Sequence, residues 1–205
     1  MIRKLKNILT RNIFRKRWRK YNKHNETRAT SIFNLGSVTV GKNSYGNINF
    51  IQYDKSSTLK IGANVSIADE TIFLGGGEHD YKRLSTWPYQ SLTYHKKKNW
   101  ANYETVIEDD VWIGYGSMVL TGVRIGKGSI IGARSVVAKD VPPFSVYVGN
   151  RVIKQRFSPK IIKELDKINF DDINHVSGDE YEKYCMTQLD EENYVEVIKA
   201  FTKNQ

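Results

Sequence analysis

From Ile107 to Pro142 the chain reads I-E-D-D-V-W-I-G-Y-G-S-M-V-L-T-G-V-R-I-G-K-G-S-I-I-G-A-R-S-V-V-A-K-D-V-P. Ile107, Ile113, Val119, Ile125, Ile131 and Val137 recur every six residues, a step that fits neither the three-to-four spacing of a helix face nor the alternation of a half-buried strand. Four residues after each rung stands a small or β-branched side chain, in order Val111, Ser117, Val123, Ser129, Ser135 and Val141. Gly114, Gly126 and Gly132 follow three of the rungs directly. A hexad of this kind is one flat strand plus one corner, and only stacking of successive coils buries its apolar face. The pattern specifies an all-β solenoid, a left-handed parallel β-helix with three hexads to a triangular coil.

Weaker copies of the hexad lie upstream at Ile61, Ile67 and Phe73, with Val65 and Thr71 in the small position, and at Val40 followed by Gly41. The two registers are separated by 34 residues between Phe73 and Ile107, which is not a multiple of six. The repeat is therefore interrupted. The expected organisation is a basic helical leader over 1–28, a β-helix over 35–150 with an inserted loop over 75–105, and a basic segment with C-terminal helices over 151–205.

Of the 32 Lys and Arg in these 205 residues, ten fall within the first 24, a stretch with no acid. The rest of the chain balances 22 basic against 22 acidic residues, so the formal charge of +10 belongs to the leader. Ile2, Leu5, Leu9, Ile13, Trp18 and Tyr21 recur there at helical steps, with Ile8 and Phe14 alongside, which predicts an amphipathic helix. A basic helix of this type suits either an anionic membrane surface or packing against the solenoid end. Nucleic acid is not expected as a partner, since no recognised binding module accompanies the charge. No apolar run reaches a membrane span, the N-terminus lacks the apolar core of a secretory signal, and the single Cys185 excludes an internal disulfide. A cytoplasmic location follows, peripheral to the inner face of the membrane if the leader binds lipid.

Beyond the repeats, Pro142 and Pro143 stop the β pattern, and Arg151 to Phe157 form a short basic strand or turn. Ser158 then suits a helix N-cap and Pro159 its first turn, with Ile161, Ile162, Leu165 and Ile168 as the apolar face. A second helix is expected over about 188–202. Both are expected to cover the open end of the solenoid, where the last coil leaves apolar surface and strand edges unpaired.

The insertion begins G-G-G-E-H-D-Y-K-R-L-S-T-W-P-Y from Gly75 to Tyr89. Together with the run from Ile107 to Gly149, it resembles the hexapeptide-repeat acetyltransferases over roughly residues 35–165. Within them it is similar to the xenobiotic branch, which acetylates antibiotics such as chloramphenicol and streptogramins and includes glycan O-acetyltransferases. That branch carries a histidine followed six residues later by Ser-Thr-aromatic-Pro-aromatic, matched here by His79 and Ser85-Thr86-Trp87-Pro88-Tyr89. Between these anchors the chain departs from the branch at Asp80, Lys82 and Arg83, so antibiotic specificity does not carry over.

Acyl transfer requires that a poorly nucleophilic hydroxyl lose its proton as it attacks a thioester, and a neutral imidazole is suited to take it. His79 is the expected general base. Read in isolation, it is equally a loop histidine bonded to a turn. Gly75 to Gly77 are candidate donors to the developing oxyanion, and Tyr81, Trp87 and Tyr89 are candidate acceptor-facing residues, with a subunit contact as the alternative for the aromatics. Ser85 and Thr86 are alternatively local turn caps.

The resemblance implies acetyl-CoA as cosubstrate and no metal. It assigns the groove to Trp112, Tyr115, Ala133, Ala138 and Lys139, and the phosphates to Arg151 and Lys154 of R-V-I-K. The stretch before this basic segment is about two residues shorter than usual for the family, which brings Arg156 in as a substitute. The resemblance also implies a homotrimer, with base and groove on different subunits. Three functions follow: O-acetylation of a saccharide, such as a surface polysaccharide or lipid-linked precursor; acetylation of an antibiotic or amino sugar; and a zinc hydratase or non-catalytic scaffold on the same fold. The hydratase fits worst, because His24, His79, His95 and His175 lie outside the regular repeats without ligand spacing.

Overall fold

The computed structural model describes residues 2–79, 82–89, 93, 103–170, 183 and 186–202. Among the described residues, a helix, α1 (Ile2–Tyr21), leads into fifteen strands and then two helices, α2 (Pro159–Leu165) and α3 (Tyr194–Thr202). The strands are β1 (Glu26–Ala29), β2 (Val38–Val40), β3 (Tyr45–Ile48), β4 (Phe50–Gln52), β5 (Thr58–Ile61), β6 (Ser66–Ile67), β7 (Ile72–Gly75) and β8 (Glu104–Ile107). They continue as β9 (Trp112–Ile113), β10 (Met118–Val119), β11 (Arg124–Ile125), β12 (Ile130–Ile131), β13 (Val136–Val137), β14 (Ser145–Val148) and β15 (Arg151–Gln155).

These strands form three sheets. Sheet A runs β1-β3-β6-β9-β12-β14-β15, sheet B runs β11-β8-β5-β2, and sheet C runs β13-β10-β7-β4. From β2 onward the chain visits B, A and C in rotation, and every pairing along the coils is parallel, so the molecule is a parallel β-helix. The six expected rungs are each no more than 1% exposed, and each four-residue follower is buried with them. Every such aliphatic side chain withdrawn from water contributes about 1.5–3 kcal/mol. The buried serines bond to corner backbone: the Ser117 hydroxyl donates to the Gly114 and Gly132 carbonyls, and the Ser129 hydroxyl donates to that of Pro142.

Two kinds of glycine build the corners. The position three after a rung takes a positive φ, as at Gly128 (+65°), and Asn64, Asp110 and Arg134 adopt it elsewhere. At Gly114 and Gly126 the position directly after a rung is glycine for lack of room. At Gly114 a Cβ would stand 2.6 Å from the Ala133 nitrogen on the next coil.

Coil length shows where the solenoid is irregular. Val106 pairs with Arg124, Trp112 with Ile130 and Met118 with Val136, each eighteen residues apart. Ile61 pairs with Ile107 across 46, so 28 extra residues leave the solenoid at the corner between sheets C and B. The same corner is enlarged one coil earlier, with eleven residues from Phe50 to Ile61 against six from Val119 to Ile125.

Both ends differ from expectation. Strand pairing begins at Glu26, where β1 joins β3, upstream of the expected start at residue 35. The leader helix stops at Tyr21, and its apolar residues divide between two faces. Trp18 is 1% exposed and closes the first coil, its ring edge-on to Phe33, while its indole N–H donates to the Thr27 carbonyl and hydroxyl. Leu9 and Ile13 point into solvent. At the other end, α2 has the expected Ser158 cap, and the described C-terminal helices pack against Phe144 of the last coil. They run along the corner between sheets B and A, around a second core of Phe144, Ile161, Leu165, Ile168, Tyr194 and Ile198. Lys127 holds them there, because its ammonium donates to the Asp166 and Ile168 carbonyls past the end of α2 (2.9 and 3.0 Å). The second helix begins at Tyr194, later than residue 188.

Candidate functional site

The 28-residue insertion leaves sheet C at Gly75, and its root is held from both neighbouring coils. From the preceding coil, the Tyr53 and Asp54 N–H groups donate to the Gly75 carbonyl (2.8 and 3.0 Å). From the following coil, the Thr121 hydroxyl accepts from the Gly76 N–H at 2.9 Å and donates to the Leu74 carbonyl at 3.2 Å. The three glycines answer to this packing. A Cβ on Gly75 would meet the Phe50 ring, Gly76 has φ +84°, and Gly77, at φ +100°, lies against the exposed Tyr53 ring. Since its N–H is engaged by Thr121, Gly76 is not an oxyanion donor.

Further along, the loop folds back on itself. His79 Nδ1 lies 2.7 Å from the Thr86 carbonyl oxygen. A carbonyl only accepts, so Nδ1 carries the hydrogen and donates it, and Nε2 of the neutral ring keeps its lone pair. The imidazole is exposed, and this carbonyl orients it. Ser85 is a turn cap, its hydroxyl accepting from the Trp87 N–H at 3.1 Å. Trp87 and Tyr89, 57% and 54% exposed, flank the same turn. Tyr81, expected to face the acceptor, lies outside the described residues, as do Asp80, His95, His175 and Cys185.

The residues expected to bind the cosubstrate fall into three places. Ala138 and Lys139 follow β13 at the corner between sheets C and B, the one from which the His79 loop leaves. Tyr115 and Ala133 follow β9 and β12 at the opposite edge of sheet C, where the Arg134 N–H donates to the Tyr115 carbonyl. Above them the Arg134 guanidinium stacks over the Tyr115 ring at 5.0 Å and pairs with Glu70 at 3.3 Å, and hydrogen bonding to Glu70 raises the Tyr115 phenol pKa. Between these corners sheet C turns outward the apolar row Ile72, Met118 and Val136.

The third place is the outer face of sheet A. Trp112, 54% exposed, is in register with Ile130, then Val146, then Lys154 on the exposed edge strand β15. Residues three apart on a regular strand face opposite ways. A bulge between Val146 and Tyr147 changes this, so Arg151 stands opposite outward Val148 and Lys154 opposite outward Val146. Both cations are thereby on one side. Arg156 is not with them. Its guanidinium donates to the Gly128 carbonyl, lies 3.7 Å from the Asp110 carboxylate and stacks on Phe157.

Sheet B presents the row Thr39, Lys60, Val106 and Arg124, with Lys60 paired to Glu104 at 2.8 Å and Arg124 to Glu108 at 2.5 Å. Paired charges thus line this face. His24, read as outside the repeats, is structural, its Nε2 2.8 Å from the Val40 carbonyl. No group of three or more metal-ligating side chains converges among the described residues.

A three-sheeted parallel β-helix, with an oriented histidine on an insertion at one corner, is the architecture of a hexapeptide-repeat protein. Residues 104–139 match the family model described as bacterial transferase hexapeptide (six repeats). The chain is 35% identical over 122 residues to a chloramphenicol acetyltransferase of Escherichia coli, covering 55% of this chain and 58% of that one. It is 36% identical over 122 residues to a probable macrolide acetyltransferase of Lysinibacillus sphaericus, covering 55% and 68%. Among solved structures, a maltose O-acetyltransferase from Clostridium difficile aligns with a TM-score of 0.51 at 31% identity, covering 66% of this chain and 68% of that one. The chain belongs to the hexapeptide-repeat acetyltransferases, and spans less than two thirds of the length of the E. coli relative.

Proposed function

We propose that the protein is an acetyl-CoA-dependent O-acetyltransferase acting on a saccharide hydroxyl, such as that of a surface polysaccharide or lipid-linked glycan precursor, with His79 as general base. The observation that carries this reading is the Nδ1 bond to the Thr86 carbonyl, which leaves Nε2 as an acceptor on an exposed ring. Nε2 takes the proton of the acceptor hydroxyl while its oxygen forms a bond to the thioester carbonyl carbon. The C–S bond then breaks, and the CoA thiolate leaves with the proton from the imidazolium. Trp87 and Tyr89 border the acceptor side, and Tyr81 belongs with them by position in the loop.

The row from Trp112 to Lys154, with Arg151 beside it, supports a cosubstrate path in which the extended arm lies along the coils and the phosphates meet β15. Tyr115, Ala133, Ala138 and Lys139 border sheet C, whose outward row is apolar while that of sheet B is charged. This contrast supports a homotrimer in which a second copy covers sheet C, bringing one subunit's His79 to another's groove. Acetyl-CoA supply places the reaction in the cytoplasm.

The similarity to a maltose O-acetyltransferase supports a sugar acceptor. The chloramphenicol and macrolide relatives favour an antibiotic as the second reading. Incubating the purified full chain with acetyl-CoA and panels of oligosaccharides, amino sugars and antibiotics, with thiol release and product mass recorded, separates them. Release with an antibiotic and with no sugar would reject the saccharide; no release with any acceptor would reject both.

A further inference from the structure

We propose that α1 is a docking surface for an anionic lipid bilayer. The proposal stands apart from the acetyl-transfer reading, because it rests on how the helix is fixed to the body and on what its outer side presents. Trp18 is buried, and Phe14 packs edge-on against Phe33 at 5.1 Å, so one side of α1 is committed to the first coil. Leu9 precedes Trp18 by nine residues, about two and a half helical turns, and so faces the opposite way. It is 61% exposed, and Ile13, one turn on, is 50% exposed. Lys16 and Lys20 follow Leu9 and Ile13 by seven residues each, about two turns, which continues the same outward stripe with cations.

The charge has one sign. Lys6, Arg11, Lys16, Arg17, Lys20 and Lys23 are all exposed, and residues 1–24 hold no acid. Arg15 and Arg19 are engaged with the body through the Ala29 and Thr27 carbonyls, which pins the helix and fixes which side looks outward. A surface offering apolar side chains flanked by cations matches the headgroup and acyl boundary of an anionic membrane, which takes both at once. A nucleic-acid backbone needs only the cations and leaves Leu9 and Ile13 in water. A second copy of α1 would bring like charges together.

The test is flotation of the full chain with vesicles of phosphatidylglycerol and phosphatidylcholine, against phosphatidylcholine alone. The chain is expected to float with the anionic vesicles and not with the neutral ones, and to be released by salt. Leu9→Asn/Ile13→Asn and, separately, Lys16→Gln/Lys20→Gln are each expected to lower the retained fraction about tenfold or more. All four side chains are exposed, so circular dichroism should show both variants folded as the parent. A parent that stays unbound with anionic vesicles overturns the proposal. So does an apolar double variant that floats as well as the parent and binds a duplex DNA probe equally, since α1 would then be a polyanion site without need of a bilayer.

Discussion

His79 Nδ1 and the Thr86 carbonyl oxygen, 2.7 Å apart, close the loop that leaves the solenoid at Gly75 and fix the imidazole tautomer with a backbone group. No side-chain substitution at Thr86 removes that acceptor, so the lever is His79 itself. His79→Ala is expected to lower acetyl transfer by ~100- to 10,000-fold. Because the ring is exposed, the variant should melt with the parent. Single-turnover transfer beside a thermal melt checks both halves, and a fall in melting temperature matching the lost activity would reassign His79 to loop structure.

Thr121 ties the loop root to the next coil, accepting from Gly76 and donating to Leu74. Thr121→Val keeps the shape and removes both bonds. The unpaired Gly76 N–H costs about 1–3 kcal/mol where water does not replace the hydroxyl. The expected result is a lower kcat with little change in the KM for acetyl-CoA, restored by Thr121→Ser. Equal loss in both variants would remove Thr121 from the positioning of His79.

The fold was legible because rungs such as Ile107 and Ile125 must all face one narrow core, and a six-residue step admits no helix and no two-sided sheet. The insertion was legible as a break in register. Its support was not, since Tyr53, Asp54 and Thr121 reach Gly75 and Gly76 from coils remote in sequence. The enlarged first corner had one signal, the irregular run from Phe50 to Ile61, which departs from the hexad without a motif to mark it. The setting of Arg156 was not legible for a related reason. Its partners, Asp110 and Gly128, are brought to it only by coil stacking. The leader's helical spacing was visible and sets Trp18 and Leu9 on opposite faces, but spacing does not say which of the two the first coil buries.

Gly114 and Gly149 separate the two glycine roles. A Cβ at Gly114 would stand 2.6 Å from the Ala133 nitrogen and 2.8 Å from the Ile131 oxygen, both backbone atoms that cannot turn aside. Gly149 has φ +68° with nothing near its missing Cβ. Gly149→Ala should therefore cost about 1–2 kcal/mol, the left-handed penalty alone. Gly114→Ala should cost more, since crowding of a packed coil is typically about 1–3 kcal/mol and here involves two backbone contacts. Denaturant midpoints rank the pair, and the reverse order would count against steric control of the corner.

Asp110 carries a pH prediction. Burial pushes its carboxyl up from 3.8 to about 6, against the pull of the Arg156 guanidinium 3.7 Å away. A folded-state pKa above the unfolded one means that the fold binds this proton more tightly. The contribution is full below about 3.8 and is lost as pH rises through about 6. Asp110→Asn holds the polar shape and suits the φ of +57°, so it should remove this component and flatten unfolding stability across that window. Arg156→Gln, by deleting the attraction that lowers the value, should move the Asp110 titration to still higher pH. Carboxyl carbon shifts recorded against pH in the parent and in Arg156→Gln test both signs: a parent value not raised above 3.8 would contradict burial as the dominant cause, and a downward move in the variant would contradict the pull of Arg156.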